Sequence, residues 1–258
     1  EGKGGIIEAF KYLRKDHTDL HYVMTPVNDK GVNQGCSDPG VRVLTGRTGT
    51  GDILNKENLL YCYKHHKNSC DLVTGMGCSP LDEECDNLEL RNFSLVIAQV
   101  AGAVCCQKVG GCFILKLYDT LSLGSMDAIL LLSSIYERVD IVKPQSSPAA
   151  KAEKYVVCKG YQVRDNQALL LQLLAIIKQL GNCTYSTRIL NINIPLLFVD
   201  AITQINAVFG QTQLDCIRET LFLASSRNQD KIQRLCRTNT TRCVQWCDRF
   251  NIPLTNGL

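Results

Sequence analysis

The sequence predicts an α/β fold, a sheet flanked by helices, followed by a mainly helical C-terminal extension. Three observations predict it. Residues 112–115 and 155–158 are short apolar runs of strand character, bounded by glycine and charge. Between them, Met126, Ile129, Leu130, Leu132 and Ile135 recur at helical spacing and predict a buried helix over 125–139. After Gly160 the composition shifts to long stretches with helical apolar periodicity. Charged residues at strand ends are where α/β sheets build sites. Lys116 closes the first run and Glu153 opens the second.

The elements follow in order. Gly2, Gly4 and Gly5 form a glycine cluster, and Ile6, Ile7, Ala9, Phe10 and Leu13 continue it at helical spacing. Glycines at a helix start allow a ligand to approach the main chain. Such a turn normally follows a strand, so the first strand is expected upstream and the chain is expected to be part of a larger polypeptide. Residues 21–24 predict the next strand, and 26–51 read as a long loop rich in turn residues. Asp52 follows, either a turn or cap aspartate or a ligand contact, and a helix begins near Asn55. A strand is expected from Asp71 to the Gly75–Gly77 turn, then an amphipathic helix over 87–107 that leads to a turn at Gly110-Gly111. Helices are expected over 167–180, ending at Gly181, and over 200–209, 213–226 and 229–237. The resulting division is 1–165 and 166–258.

At 258 residues, 45% apolar and 21% charged, the chain is long enough for a sizeable core. Its net charge of +3 does not by itself argue for nucleic acid. The 14 cysteines are irregularly spaced, and Cys105, Cys106, Cys112 and Cys158 lie within apolar runs. That pattern fits free thiols in a reducing, intracellular compartment and lacks the paired spacing of a zinc module, so no metal is expected. No apolar run of about 18 residues and no signal peptide is visible, so no membrane partner is expected.

The order Gly110-Gly111-x-Phe113-x-x-Lys116, then Lys143-Pro144-x-Ser146-Ser147, then Glu153-x-Tyr155-Val156-Val157-Cys158-Lys159-Gly160 resembles the FtsJ-type ribose 2'-O-methyltransferases, especially those that modify the mRNA cap. The resemblance is specific over 110–160, moderate over 49–59, and extends to the tail from Trp246 to Pro253. It implies a Rossmann-like methyltransferase fold with a mostly parallel sheet, S-adenosylmethionine as cofactor and capped mRNA as partner, in the nucleus or cytoplasm or in a viral setting. It also implies roles for individual residues. Lys116 and Glu153 match two members of a catalytic Lys-Asp-Lys-Glu tetrad. Gly2, Gly4, Gly5 and Asp52 match cofactor-binding positions, although Lys3 and Ile6 replace the family's proline and phenylalanine. Lys151, Lys154 and Tyr118 are the substrate-binding candidates. The family spells the third strand's end apolar-apolar-small-Asp-Gly-Gly; aligned on Gly77 and Ser79, its Asp falls on Gly75. Two readings follow: a cap 2'-O-methyltransferase domain impaired at Gly75, or an inactive relative kept as an RNA-binding or assembly module.

Overall fold

The computed structural model describes residues 5–16, 18–26, 40–77, 87–181, 188–226 and 229–254. Gly2 and Gly4 lie outside the described residues. The chain forms two compact units, Glu1–Ser147 with Ala152–Asn206, and Pro148–Lys151 with Ala207–Leu258.

The first unit opens with helix α1 (Gly5–Arg14), whose first described residue is Gly5. Strands β1 (His21–Val23) and β2 (Val41–Val43) pair in parallel. β2 lies within the span expected to be loop; its three residues are too few to show a period. Helix α2 (Lys56–His66) starts where Asn55 Oδ1 accepts the Glu57 N–H at 2.8 Å, an N-cap that satisfies one of the first-turn donors.

A second sheet has the order β3-β4-β6-β5, with β3 (Cys70–Gly75), β4 (Gln107–Leu117), β5 (Tyr136–Val142) and β6 (Lys154–Tyr161). β3 and β4 are parallel, whereas β6 runs antiparallel to both its neighbours, so the sheet is mixed. Along β4, Phe113, Leu115 and Leu117 are buried while Ile114 and Lys116 are half-buried, the period-two signature of a strand with one face in the core. Gly110-Gly111 is a bulge inside β4 and not a turn before it. Gly110 has φ +81°, and the pairing jumps from Cys70↔Gln107 to Leu72↔Cys112.

Helix α3 (Leu88–Cys106) supplies much of the core, including Phe93, Ile97, Val100 and Val104. It is long and apolar enough to cross a membrane by composition, and 67% of its most apolar window is buried within the fold. Glu89 of α3 accepts the Ser122 N–H at 2.9 Å and the Leu121 N–H at 3.2 Å, capping helix α4 (Leu123–Ile135). The helix expected over 125–139 therefore stops at Ile135, and Tyr136–Val142 is the edge strand β5. The reason is legible afterwards: Val139 and Ile141 alternate with Arg138 and Asp140, a period of two that the preceding apolar run obscured. Helix α5 (Gln167–Leu180) packs Leu170, Leu173, Leu174 and Ile177 into the same core.

The C-terminal region is helical, as expected, with fewer breaks. The separate helices read over 200–209 and 213–226 form one helix, α6 (Leu196–Ser226), that passes through Gly210. The last, α7 (Gln229–Arg249), extends 12 residues beyond the expected 237 and has no buried residue.

Candidate active site

The carboxyl end of β4 delivers Lys116, and the residue before β6 is Glu153. Antiparallel pairing sets Lys116 opposite Tyr155, which brings Glu153 within reach of the lysine. Lys116 Nζ lies 3.2 Å from Glu153 Oε2, with side chains 19% and 15% exposed. The other carboxylate oxygen accepts the Ser147 hydroxyl at 2.7 Å. Lys143 donates to the Glu153 main-chain oxygen at 2.9 Å and to Ser147 Oγ at 3.3 Å. Lys116 Nζ also stands 5.3 Å from the centre of the Tyr118 ring. The structure therefore brings together Lys116, Glu153 and Tyr118 and adds two residues that had no assigned role, Lys143 and Ser147. Their signal was the Lys-Pro-x-Ser-Ser spelling between the strands.

The charges in this group reinforce one another. Burial opposes the Lys116 ammonium, but the hydrogen bond to Glu153 and the Tyr118 ring outweigh it and hold the amine above its ordinary value. Burial likewise pushes the Glu153 carboxyl up. The Ser147 hydroxyl and the two lysines outweigh it, and the acid ends below its usual range. Lys143 goes the other way: burial lowers it, and Glu153 only partly offsets that.

Gly75 does not hold the position expected for the second carboxylate. A Cβ on Gly75 would point at Gln99 and Leu115, 2.8 Å from Gln99 Oε1 and 3.1 Å from Leu115 Cδ1. That is the α3 side of the sheet, where Leu115 is buried. Side chains alternate along strands, so Lys116 faces the other side. The β3–β4 register pairs Gly75 with Leu115. β3 ends at Gly75, and the next residue in the chain is Met76. The residue that follows Gly75 thus carries a thioether and no charge. Gln99 fills the space behind the glycine: its amide accepts the Gly77 N–H at 3.2 Å and donates to the Gly77 carbonyl at 3.1 Å, pinning the turn.

Lys154 lies elsewhere. It pairs with Leu117, on the face opposite Lys116, and is 6% exposed. Its ammonium approaches the Tyr118 carbonyl and Asn206 Oδ1, both at 3.4 Å. Burial lowers its pKa, against the pull of Asp119 and Glu89. Lys154 is therefore a buried cation of the core and does not join the Lys116 group. Lys151 is exposed and belongs to the second unit, where its N–H donates to the Pro148 carbonyl at 3.1 Å.

Asp52 sits in a glycine-rich loop after β2. Its Oδ1 accepts the Leu54 N–H at 2.9 Å, a local turn bond. The organiser of this loop is Asn58, fully buried on α2, which the sequence reading missed. Its Oδ1 accepts Thr48 N and Thr48 Oγ1, both at 2.9 Å, and its Nδ2 donates to Thr50 Oγ1 at 3.1 Å and to the Asp52 carbonyl at 3.0 Å. A polar residue on the inward face of a helix was the available signal. Gly51, at φ +67°, lets the loop approach the end of β1 so closely that a Cβ would sit 2.0 Å from the Thr25 carbonyl oxygen. A Cβ on Gly49 or Gly5 would meet nothing within 4 Å. The loop thus presents a carboxylate and open glycine backbone at the carboxyl ends of parallel strands, a setting that suits a ligand with hydroxyl or amine donors.

The sequence profile described as FtsJ-like methyltransferase matches residues 18–161. Cap-specific mRNA (nucleoside-2'-O-)-methyltransferase 1 of Trypanosoma brucei brucei is 30% identical over 215 residues, covering 81% of this chain and 56% of that protein. Cap-specific mRNA (nucleoside-2'-O-)-methyltransferase 2 of Danio rerio is 26% identical over 269 residues, covering 98% of this chain and 36% of that protein. A solved structure assigned as a ribosomal RNA methyltransferase from Plasmodium falciparum overlays on 63% of this chain and 83% of its own, with a TM-score of 0.43 and 18% identity.

Proposed function

Because the chain belongs to the FtsJ-like methyltransferase family, we propose that it is a domain of the mRNA-cap ribose 2'-O-methyltransferase type, dependent on S-adenosylmethionine, whose methyl-transfer step is impaired. It spans 56% and 36% of the length of the two curated relatives. One observation carries the impairment: β3 ends with Gly75 paired to Leu115, and Met76, the next residue in the chain, bears no charge.

Transfer to a ribose requires the 2'-hydroxyl to lose its proton as its oxygen displaces the sulfonium. An amine can take that proton only when neutral, so its pKa must fall well below the free value near about 10.4. Lys116 is held the other way by Glu153, the one carboxylate that pairs with it among the described residues. S-adenosylmethionine would supply the electrophilic methyl group. Gly5 and Asp52, with Gly2 and Gly4 outside the described residues, are the groups that would hold it. Lys116 and Glu153 would face the acceptor hydroxyl, Tyr118 offers a ring to a base, and Lys151 is a candidate for a phosphate contact.

Calorimetric titration of S-adenosylmethionine into the full-length protein, followed by methyl transfer to capped RNA, tests the reading. Micromolar cofactor binding with transfer at least about 100-fold below that of Met76→Asp is the expected outcome, since loss of an orienting carboxylate commonly costs that much or more. Rapid turnover by the natural chain, unchanged in Met76→Asp, overturns it. Absence of cofactor binding at millimolar concentration, with RNA still bound, selects the second reading, an inactive RNA-binding module.

A further inference from the structure

The loop that joins β5 to β6, residues 143–153, grips Glu153 by both its main chain and its side chain. Val142 pairs with Tyr155 across β5 and β6, and Tyr155 pairs with Lys116 across β6 and β4, so the loop leaves and re-enters the sheet beside the lysine. Lys143 opens the loop. Its Nζ donates to the Glu153 main-chain oxygen at 2.9 Å and ties the two ends of the loop together. Pro144 then begins a tight turn, closed by the Ser147 N–H donating to the Pro144 carbonyl at 2.9 Å. That turn sets Ser147 Oγ 2.7 Å from Glu153 Oε1 and 3.3 Å from Lys143 Nζ.

Donor counting gives this chain a direction. An ammonium only donates, a hydroxyl has one proton, and an ionised carboxylate only accepts. Lys143 therefore takes a lone pair of Ser147 Oγ, and the Ser147 proton goes to Glu153 Oε1. The other carboxylate oxygen, Oε2, faces Lys116 Nζ at 3.2 Å. A donor on each oxygen fixes the rotation of the carboxylate, and the Lys143 bond fixes the main chain that bears it.

We propose that Ser147 and Lys143 are positioning residues that set the place of the Lys116 amine through Glu153. This rests on the reading in which Lys116 faces the acceptor hydroxyl. Glu153 is the one carboxylate that pairs with Lys116 among the described residues, so what holds the carboxylate holds the amine. The acidities agree. Burial raises the Glu153 carboxyl and lowers the Lys116 amine, and the Ser147 bond in the first case and the Glu153 bond in the second work against it.

The test is a pH titration of the full-length protein by nuclear magnetic resonance, with carbon-13 at the lysine Cε positions and the Lys116 signal assigned from Lys116→Arg. Where an amine titrates, Glu153 is ionised with or without Ser147, so the Lys116 midpoint moves only if the carboxylate has moved. It should fall in Ser147→Ala, because burial is then less opposed, and should stay at the natural position in Ser147→Thr, which keeps the hydroxyl. The shift caused by Ser147→Ala should shrink when it is made in Lys143→Met, a double-mutant cycle that cancels the effect of the Lys143 charge. In a chain that methylates capped RNA, Ser147→Ala should also lower kcat about tenfold and leave KM for the RNA unchanged, with Ser147→Thr restoring it. An unmoved Lys116 midpoint in Ser147→Ala overturns the assignment, even if the variant is less stable. A shift of the same size with and without Lys143 overturns the part given to Lys143. Titration as expected in a chain that transfers no methyl group counts against the proposed function and supports this assignment, since the midpoint is read without cofactor or RNA.

Discussion

Lys116 and Glu153 stabilise each other across a narrow, half-buried gap, and their pKa directions define a pH window. Glu153 is lowered in the fold, so its contribution is present above the unfolded value of about 4.3 and is lost as pH falls through the folded value. Lys116 is raised, so its contribution is complete below about 10.4 and is lost as pH rises through its folded value. The difference in melting temperature between the natural chain and the double variant Lys116→Met/Glu153→Gln should be a plateau at neutral pH that falls away at both extremes. Removing one partner alone leaves a charge in a partly dry site. Lys116→Met by itself should cost about 1–3 kcal/mol in denaturant unfolding, with Glu153→Gln partly restoring it. At the same scale, Met76→Asp should raise methyl transfer while Gly75→Asp should not. The Gly75 side chain would meet Gln99 and Leu115 on the far face of the sheet, so Gly75→Asp should lower stability and leave activity unchanged.

The loop between β2 and α2 is an element held by a single side chain. Asn58 makes four hydrogen bonds within it. Asn58→Leu removes them while keeping the bulk, and should cost roughly 2–4 kcal/mol because several buried polar groups lose their partners. If Asp52 contributes to cofactor affinity, Asn58→Leu should weaken S-adenosylmethionine binding in calorimetry as well, through loop disorder alone. Gly51→Ala should destabilise by at least about 2 kcal/mol, since the added carbon meets main chain and not a movable side chain, at a left-handed φ. The helix α2 itself is expected to persist in both variants, visible as unchanged far-ultraviolet circular dichroism.

Across the whole molecule the charge is unevenly placed. Residues 207–258 contain seven Lys and Arg and four Asp and Glu, a balance of +3 equal to that of the entire chain, so residues 1–206 are neutral overall. On α7, Lys231, Arg234, Arg242 and Arg249 fall on one helical face, on a helix that buries none of its residues. Under the proposed function this face favours the RNA backbone. Arg234→Glu with Arg242→Glu should weaken binding of a capped single-stranded RNA about equally for all sequences and flatten its dependence on salt, measured by fluorescence anisotropy across 50–200 mM salt. An unchanged salt slope would remove α7 from the interface.

Much of the architecture could be read directly from the chain. The apolar runs that became β4 and β6, the inward stripe of α3 and the apolar helix α5 follow from periodicity, because burial of one face imposes a period on sequence. Lys116 and Glu153 were legible through the spacing of a motif. Short or composite elements were not. β2 has three residues, too few to establish a period, and β5 follows α4 with no break in apolar character. What only the tertiary structure decided was direction: which face of a strand each side chain occupies, and which residue of one strand stands beside which residue of another. A one-residue shift in register exchanges the faces of a sheet. For that reason Gly75 turned to the face away from Lys116, and Lys154 moved from the site to the core. The residue types came from the sequence. Their neighbours across strands depend on hydrogen-bond register and helix packing, which join segments tens of residues apart and leave no local pattern in the chain.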